Sequence, residues 1–149
     1  MVGAGSIKQC LHQLTLLSKQ WAGVIPDNLF DMSMGSLVHT AMRAFADATM
    51  SLEDITEEET HTLRQLLSTL CERVPALWGA RASDELLAAS VPVWTKFGQL
   101  VDVLEASLAG ITQTWRDGGY AFAPEELRAL VKALFSNTER RAQSLAAIC

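Results

Sequence analysis

The most informative segment of the chain is Ala129-Leu130-Val131-Lys132-Ala133-Leu134-Phe135-Ser136-Asn137-Thr138-Glu139-Arg140-Arg141-Ala142. Its apolar residues recur every three or four positions, which is typical of one face of an α-helix. The polar run of residues 137–141 interrupts that face. Pro124 and the two glutamates after it favour the first turn of a helix shortly before this segment. The pattern therefore predicts the last helix of a helical protein.

The polar run has two possible interpretations. Ser136-Asn137-Thr138-Glu139 matches a capping box and would begin a new helix. The helical spacing nevertheless continues through Leu145 and Ile148, with neither Gly nor Pro in between. We therefore predict one continuous helix through the run.

The same periodicity is found in the rest of the chain. Apolar residues at helical spacing define four further principal helices, at about residues 7–21, 29–50, 56–74 and 91–115. Pro26 and Gly118-Gly119 mark boundaries, Pro75 ends or kinks the third helix, and Ser83 can cap a short turn. The connections are short, which favours antiparallel neighbours. The sequence predicts an all-α fold, an antiparallel bundle of about five helices.

Two local features in the first half of the chain have alternative explanations. Gly35 lies inside the second helix, where glycine costs about 1 kcal/mol relative to alanine. We favour a helix that crosses close to the Gly35 backbone, and a hinge is the alternative. Thr56-Glu57-Glu58-Glu59 is a capping box whose acids suit the positive end of the helix dipole. The acidic cluster is therefore explained as a solvated helix start, with an acidic docking patch as the alternative.

The length and composition fit one domain with its own core. The chain has 149 residues, and 49% of them are hydrophobic. A domain of this size buries roughly two-thirds of its unfolded surface. No apolar run approaches the ~18 residues that a membrane span requires. Residues 1–6 lack the basic start and the apolar stretch of a signal peptide, and we expect a loop there.

The charges and the cysteines restrict the partners and the compartment. The net charge is -5, and the whole acidic excess lies in residues 51–90, where eight acidic residues face three basic ones. An acidic chain without a basic stripe is a poor nucleic-acid binder, so we expect no nucleic-acid partner. Three cysteines at distant positions argue against a disulfide framework and favour a reducing compartment such as the cytoplasm.

The residues that usually catalyse reactions or bind metals lack the necessary spacing. Cys10 and His12 would lie on different sides of a helix, and the remaining candidates, His39, His61 and Cys71, belong to other segments. The sequence contains no glycine-rich phosphate-binding loop, and its carboxylate clusters lie at helix starts. We therefore predict no catalytic residue, no cofactor and no metal site, and we expect that the protein is not an enzyme.

The segment from Ala133 to Ala142 resembles the C-terminal signature of the zeste-white ten family, Ala-Leu-Phe-x-Asn-Thr-Glu-Arg-Arg-Ala. Residues 91–97 and 115–118 are similar to the part of the family sequence that precedes the last helix. A weaker similarity upstream includes Trp21, Pro26, Met34-Gly35-x-Leu37 and Leu52-Glu53-Asp54-Ile55. The resemblance covers nearly the whole chain, and members of the family are far longer. It therefore implies that residues 1–149 are a single helical C-terminal domain, a fragment of a longer chain or else a shortened relative.

The resemblance implies a non-enzymatic protein-interaction module from a rod-like tethering subunit. Such a subunit joins the Rod–Zwilch assembly at kinetochores in mitosis, where it supports the spindle checkpoint and dynein recruitment. It also joins a complex at the endoplasmic reticulum that captures Golgi-derived vesicles. The implied partners are large helical proteins, a Rod-type subunit or its relative in the membrane complex. The implied location is the cytoplasm, with kinetochore and peripheral endoplasmic-reticulum association and no direct membrane insertion.

The polar run is the candidate partner interface, and its candidate contact residues are Asn137, Glu139, Arg140 and Arg141. Five consecutive polar residues encircle much of a helix turn, because each residue advances about 100°. Some of them therefore point toward the bundle or toward a partner, and an inward arginine needs a carboxylate or carbonyl partner. We favour a fold-stabilising role for the run, with direct docking as the alternative. Composition alone also allows a homodimerising regulatory bundle or a bundle that carries an apolar ligand.

Overall fold

The computed structural model describes residues 3–149, which form eight α-helices and one 3-10 helix and contain no β-strand. The α-helices, in chain order, are α1 (Gly3–Trp21), α2 (Asp27–Met50), α3 (Glu57–Arg73), α4 (Asp84–Ser90), α5 (Trp94–Glu105), α6 (Leu108–Arg116), α7 (Pro124–Leu134) and α8 (Glu139–Ala147). The 3-10 helix, Val74–Arg81, lies between α3 and α4. The prediction of an all-α fold is confirmed.

The core of the bundle lies between α2, α3 and α5. α3 packs along α5, while α1 packs on α2 and α3. α2 also contacts α4, α5 and α7, and α8 packs on α6 and α7. Each fully buried large side chain contributes about 1.5–3 kcal/mol through removal from water. The largest of these side chains include Met34, Met42, Leu70, Phe97, Leu100, Ile111 and Leu127.

One of the predicted long helices is divided in two by a serine cap. The helix predicted for residues 91–115 breaks at Ala106, which adopts extended backbone. The Ser107 hydroxyl then accepts a hydrogen bond from the Gly110 N–H at 3.1 Å and begins α6. A capping hydroxyl satisfies a free N–H at the start of a helix, so a chain can restart a helix without losing that hydrogen bond. Apolar spacing alone therefore overestimates the length of this helix.

The beginning of the chain also differs from the expectation. The loop predicted for residues 1–6 is wrong from Gly3 onward, because α1 begins there. Met1 and Val2 lie outside the described residues. Ile7 and Leu11 are buried against the bundle. Their burial ties the first turns of α1 to the core.

The capping box predicted at the start of α3 is confirmed. The Glu59 N–H donates to the Thr56 hydroxyl at 3.2 Å, and the Thr56 N–H donates to the Glu59 carboxylate at 2.9 Å. These hydrogen bonds lower the pKa of Glu59, with the backbone N–H of Thr56 as the largest cause. Residues 57–59 therefore form a solvated first turn, in which their negative charges face the positive end of the helix dipole.

α2 passes very close to the C-terminal end of α4 at Gly35. A β-carbon on Gly35 would lie 2.2 Å from the carbonyl oxygen of Ser90. Gly35 is buried within regular helix. The interpretation that another helix crosses close to this backbone is therefore confirmed.

A polar and aromatic cluster attaches the 3-10 helix to α2. The Asp31 carboxylate accepts a hydrogen bond from Trp78 Nε1 at 2.9 Å and from the two Nη atoms of Arg81 at 2.8 and 3.1 Å. The rings of Phe30 and Trp78 meet edge to face, with centroids 6.1 Å apart. The hydrogen bond with Asp31 raises the pKa of the Arg81 guanidinium. Pro75 disfavours continuation of α3, and this cluster fixes the chain that follows.

Candidate partner interface

The polar run of residues 137–141 lies at a corner between the last two helices. α7 ends at Leu134 and α8 begins at Glu139, so the prediction of one continuous helix is wrong. The Thr138 hydroxyl accepts a hydrogen bond from the Arg141 N–H at 3.2 Å and caps α8. Such a cap contributes about 1 kcal/mol. The alternative of a new helix is therefore correct, with Thr138 rather than Ser136 as its cap.

Arg141 is a structural residue of this corner. Its Nη1 atom donates hydrogen bonds to the carbonyl oxygens of Lys132, at 3.1 Å, and Phe135, at 3.0 Å. These carbonyls lie at the C-terminal end of α7, where free acceptors and the negative end of the helix dipole favour a cation. Arg141 is half-buried. The two carbonyls are therefore the partners that an inward-pointing arginine requires.

Arg128 makes the reverse contact, from α7 to the end of α8. Its Nη1 atom donates hydrogen bonds to the carbonyl oxygens of Leu145, at 2.5 Å, and Ile148, at 3.2 Å. Each helix thus supplies an arginine that caps the C-terminal end of the other, so the two helices run antiparallel. No residue of α8 itself is fully buried, whereas the Ile148 side chain has no exposed surface. The two arginines and Ile148 therefore hold α8 on the bundle.

The other three candidate contact residues point to solvent. Asn137, Glu139 and Arg140 are exposed, and their side chains form no hydrogen bond or ion pair with any other residue in the range 3–149. The structure therefore divides the four candidates into two groups. Arg141 stabilises the corner, while Asn137, Glu139 and Arg140 are available to a partner.

Arg140 borders a groove between α6 and α8. The groove has a volume of about 310 Å³, and its polar lining consists of Thr112, Gln113, Arg116, Arg140, Gln143 and Ser144. Within the described part of the chain, neither Arg116 nor Arg140 has an acidic partner. A guanidinium can donate two parallel hydrogen bonds to a carboxylate, so the groove is suited to an acidic side chain of a partner.

Arg116 was not among the residues that the sequence singled out. It lies near the end of α6 and lines the same groove as Arg140, and α6 is a separate helix because the chain breaks at Ala106. The signal that could have revealed this break is Ser107, a favoured helix-capping residue between two apolar segments.

Thiol chemistry is unfavourable in the interior of this protein. Burial raises the pKa of Cys71 to about 11, and burial also raises the pKa of Cys10. The thiolate is the form that attacks substrates and binds metals, so both groups are largely unreactive near neutral pH. Residues 3–149 contain no cluster of three His, Cys, Asp or Glu side chains that could hold a metal ion. No helix in the same range is long and apolar enough to cross a membrane.

A second cavity lies between α2, α5 and α7. Its volume is about 260 Å³, and its lining includes the charged side chains of Arg43, Asp47, Lys96 and Glu126. Lys96 Nζ donates to both carboxylate oxygens of Glu126, at 2.8 and 2.9 Å, and Glu126 also accepts the N–H of Ala123 at 2.9 Å. Apolar side chains such as Met50, Phe97 and Phe122 form the rest of the lining, so the cavity combines an apolar wall with a charged edge.

The ion pair of Lys96 and Glu126 predicts a pH dependence of stability. Burial alone would raise the pKa of Glu126, but the hydrogen bonds from Lys96 and from the Ala123 N–H outweigh it and hold the pKa below its usual value of 4.5. A carboxylate with a lowered pKa stabilises the fold above its unfolded pKa, and that contribution is lost as the pH falls through the folded value. On acidification, the free energy of unfolding should therefore fall further in the wild-type protein than in Glu126→Gln. We expect a difference of up to about 1 kcal/mol, because the ion pair is partly exposed.

Urea unfolding near pH 7 and again near pH 3 measures this difference. Glu125→Gln is the matched control, because Glu125 lies in the same turn of α7 and is exposed. This control should lose as much stability on acidification as the wild-type protein. An equal loss in Glu126→Gln would show that the ion pair does not contribute to the pH dependence.

Comparison with known proteins identifies the family. Residues 5–148 match the family model described as the ZW10 C-terminal helical domain. The chain belongs to the ZW10, or zeste-white ten, family. It is 38% identical over 155 residues to the centromere/kinetochore protein zw10 homolog of Mus musculus, and 32% identical over 154 residues to the centromere/kinetochore protein zw10 of Drosophila melanogaster. It is also 25% identical over 147 residues to the zw10 homolog of Arabidopsis thaliana.

The similarity to ZW10 proteins includes all eight helices and the candidate interface. The three alignments cover 96%, 99% and 94% of this chain. The chain spans about a fifth of the length of these curated relatives, at 20%, 21% and 20%. The family indicated by the residues of the C-terminal signature is therefore confirmed.

Proposed function

We propose that residues 1–149 are a single helical C-terminal domain of a longer subunit and serve as a non-enzymatic docking module. Membership of the ZW10 family supports this proposal, as do the relatives described as centromere/kinetochore proteins. The proposed partners are large helical proteins. One is a Rod-type subunit at kinetochores of dividing cells, and the other is its relative in a complex that tethers Golgi-derived vesicles at the endoplasmic reticulum. Both roles require a cytoplasmic protein that associates with these structures peripherally.

The observation that carries the proposal is the division of the polar run into a half-buried anchor, Arg141, and an exposed surface. Arg141 is used within the fold, where it binds the carbonyls at the end of α7. Arg140, directly beside it, is exposed, borders the groove of α6 and α8 and has no partner in the described residues. Arginine is enriched at protein interfaces, because it combines charge with directed hydrogen bonds. We therefore propose that Asn137, Glu139 and Arg140 contact the Rod-type partner.

Substitutions at the two neighbouring arginines, one charge reversal and one truncation, test the proposal. We expect Arg140→Glu to weaken capture of the Rod-type subunit from mitotic cytosol at least tenfold, about 1.4 kcal/mol, with an unchanged melting temperature. We expect Arg141→Ala to lower the free energy of unfolding by about 1–2 kcal/mol, because two hydrogen bonds from a charged group are lost. Quantitative pull-downs and thermal melts of the purified proteins measure both effects.

Lys8→Glu is the control for charge reversal in general, because Lys8 is exposed on α1 and belongs to neither α6 nor α8. Lys8→Glu should capture the same amount of the partner as the wild-type protein. If Arg140→Glu also captures the partner normally, the docking role of the corner is wrong. A large fall in the melting temperature of Arg140→Glu would instead assign this arginine to the fold.

A homodimerising regulatory bundle is the second candidate function, and one observation favours it. Val24 and Met32 are 76% and 68% exposed, and Leu29 between them is 45% exposed. These apolar side chains lie at the start of α2 and in the turn before it. Exposed apolar side chains that lie together can mark an interface. A monomer in sedimentation at micromolar protein concentration would exclude this candidate.

A further inference from the structure

A second groove lies between the start of α1, the C-terminal end of α2 and the first turns of α3. Its volume is about 270 Å³. Its apolar walls include Ile7, Phe45, Leu52, Leu63, Leu66 and Leu67. Its lining includes none of Asn137, Glu139 and Arg140, so an inference about it can fail while the proposed function holds. The groove nevertheless adjoins α7, because the N–H of its wall residue Ile55 donates to the Ala133 carbonyl oxygen at 3.0 Å.

The interior of this groove offers almost no polar group to a ligand. The Thr49 hydroxyl lies in it but donates to the carbonyl oxygen of Phe45 at 2.9 Å, so its proton is already used. Leu52 is 43% exposed, although it belongs to the wall. The volume also lies below the roughly 300–1,000 Å³ of pockets that bind drug-sized molecules. The groove is therefore suited to one or two apolar side chains of a larger molecule.

Carboxylates lie at the edge of the groove and continue beyond it. Asp54 and Glu59 line the edge, and five of the seven residues from 53 to 59 are acidic. None of these five forms an ion pair with another residue in the described range. The capping box explains residues 57–59, but Glu53 and Asp54 precede the Thr56 cap and therefore gain nothing from the first turn of α3. Their charges remain uncompensated beside an apolar surface.

We propose that this groove binds an amphipathic helix of a protein partner, with leucine-like side chains in the groove and lysine or arginine residues facing Glu53, Asp54 and Glu59. Charge complementarity selects this occupant, because an apolar surface edged by unpaired carboxylates favours a basic helix and repels an acidic one. An amphipathic helix in an apolar groove is a recurrent mode of peptide recognition, with anchors at positions i, i+3 or i+4, and i+7.

The test uses the 149-residue protein and two synthetic helical peptides of about 18 residues, five turns at 3.6 residues per turn. Both peptides carry the same leucine stripe and a fluorescein label, and they differ in having lysine or glutamate at the flanking positions. Fluorescence anisotropy measures the binding of each. We expect the lysine peptide to bind at least thirtyfold more tightly than the glutamate peptide, and its affinity to fall with added salt.

Two variants of the groove have matched controls elsewhere on the surface. Leu52→Asp and the pair Glu53→Lys with Asp54→Lys should each weaken binding of the lysine peptide at least tenfold. Leu16→Asp is the control for Leu52, because Leu16 is 42% exposed on α1 and does not line the groove. Asp84→Lys with Glu85→Lys is the control for the charge changes, because these two adjacent acids are exposed on α4 and do not line the groove. Both controls should bind within twofold of the wild-type protein.

Several outcomes would overturn the proposal. Equal binding of the two peptides would show that charge complementarity does not select the occupant. Equal weakening by Leu52→Asp and Leu16→Asp would show that the peptide does not bind in the groove. Absence of binding up to several hundred micromolar peptide would show that the groove does not bind such a helix. A dimer of the wild-type protein that Leu52→Asp dissociates would make a second copy the occupant. If circular dichroism shows that Leu52→Asp does not fold, the proposal is tested by Glu53→Lys with Asp54→Lys instead, because both of these residues are exposed. Unchanged binding of the lysine peptide by that variant would then contradict the proposal.

Discussion

Replacing Gly35 by alanine is expected to lower the free energy of unfolding by about 2 kcal/mol, although alanine is the better helix former. Alanine would gain up to about 1 kcal/mol in helix propensity. Its β-carbon, however, would lie 2.2 Å from the Ser90 carbonyl oxygen, and that atom belongs to the backbone. α2 and the end of α4 would have to separate, and such overpacking costs typically 1–3 kcal/mol or more. The clash therefore outweighs the propensity.

A second glycine in a helix provides the control for this result. A β-carbon on Gly98, in the middle of α5, would meet no atom within 4 Å. Gly98→Ala should therefore raise the free energy of unfolding by about 0.5–1 kcal/mol through propensity alone. Thermal melts should show a decrease of roughly 4–8 °C for Gly35→Ala and a small increase for Gly98→Ala. Stabilisation by both changes would contradict the close contact of α2 with Ser90.

Replacing Asp31 by alanine is also expected to lower the free energy of unfolding by about 2 kcal/mol. The main reason is Trp78, which is 4% exposed and would lose the only acceptor that its indole N–H has among residues 3–149. A buried donor without an acceptor costs about 1–3 kcal/mol. The ion pair with Arg81 adds little, because the Arg81 side chain is 37% exposed and the charges are screened by water.

Two further variants distinguish the hydrogen bond from the charge. Asp31→Asn keeps an acceptor oxygen for Trp78, so we expect it to lose only about half as much stability as Asp31→Ala. Asp27 is the matched acid, because it lies 3.7 Å from Arg81 but is 76% exposed. Asp27→Asn should change the stability by less than about 0.5 kcal/mol. If Asp27→Asn lowers the free energy of unfolding as much as Asp31→Ala does, the charge of the cluster matters more than the indole hydrogen bond.

Helix content and local caps could be predicted from the sequence, but the number of helices could not. The capping box at Thr56 depends on residues that are neighbours in the chain. The close approach at Gly35 depends on the absence of a β-carbon, and both signals are visible in the sequence. The breaks before α6 and α8 depend on Ser107 and Thr138. An apolar face continues across each break, so periodicity favoured one long helix. Tertiary packing decides whether a serine or a threonine in such a position interrupts a helix or stays within it.

The candidate interface shows a similar limit. The sequence places the polar run in the last helical segment, but its four candidate residues cannot be told apart there. Arg140 and Arg141 are adjacent and chemically identical. Their difference arises because α8 turns back on α7, which directs Arg141 toward the carbonyls of Lys132 and Phe135. The Asp31 cluster was missed altogether, because its members are about 50 positions apart in the chain.

The reciprocal arginine contacts also determine how the corner responds to a pulling force. Arg141 attaches the first turn of α8 to the end of α7, and Arg128 attaches the end of α8 to the first half of α7. A helix attached at one point would peel away under tension, breaking its contacts one after another. α8 is attached at both ends, so tension on it is divided between two sets of hydrogen bonds that must fail together. Because α8 also packs on α6, load on it is shared between two helices of the bundle rather than carried by the chain connection alone.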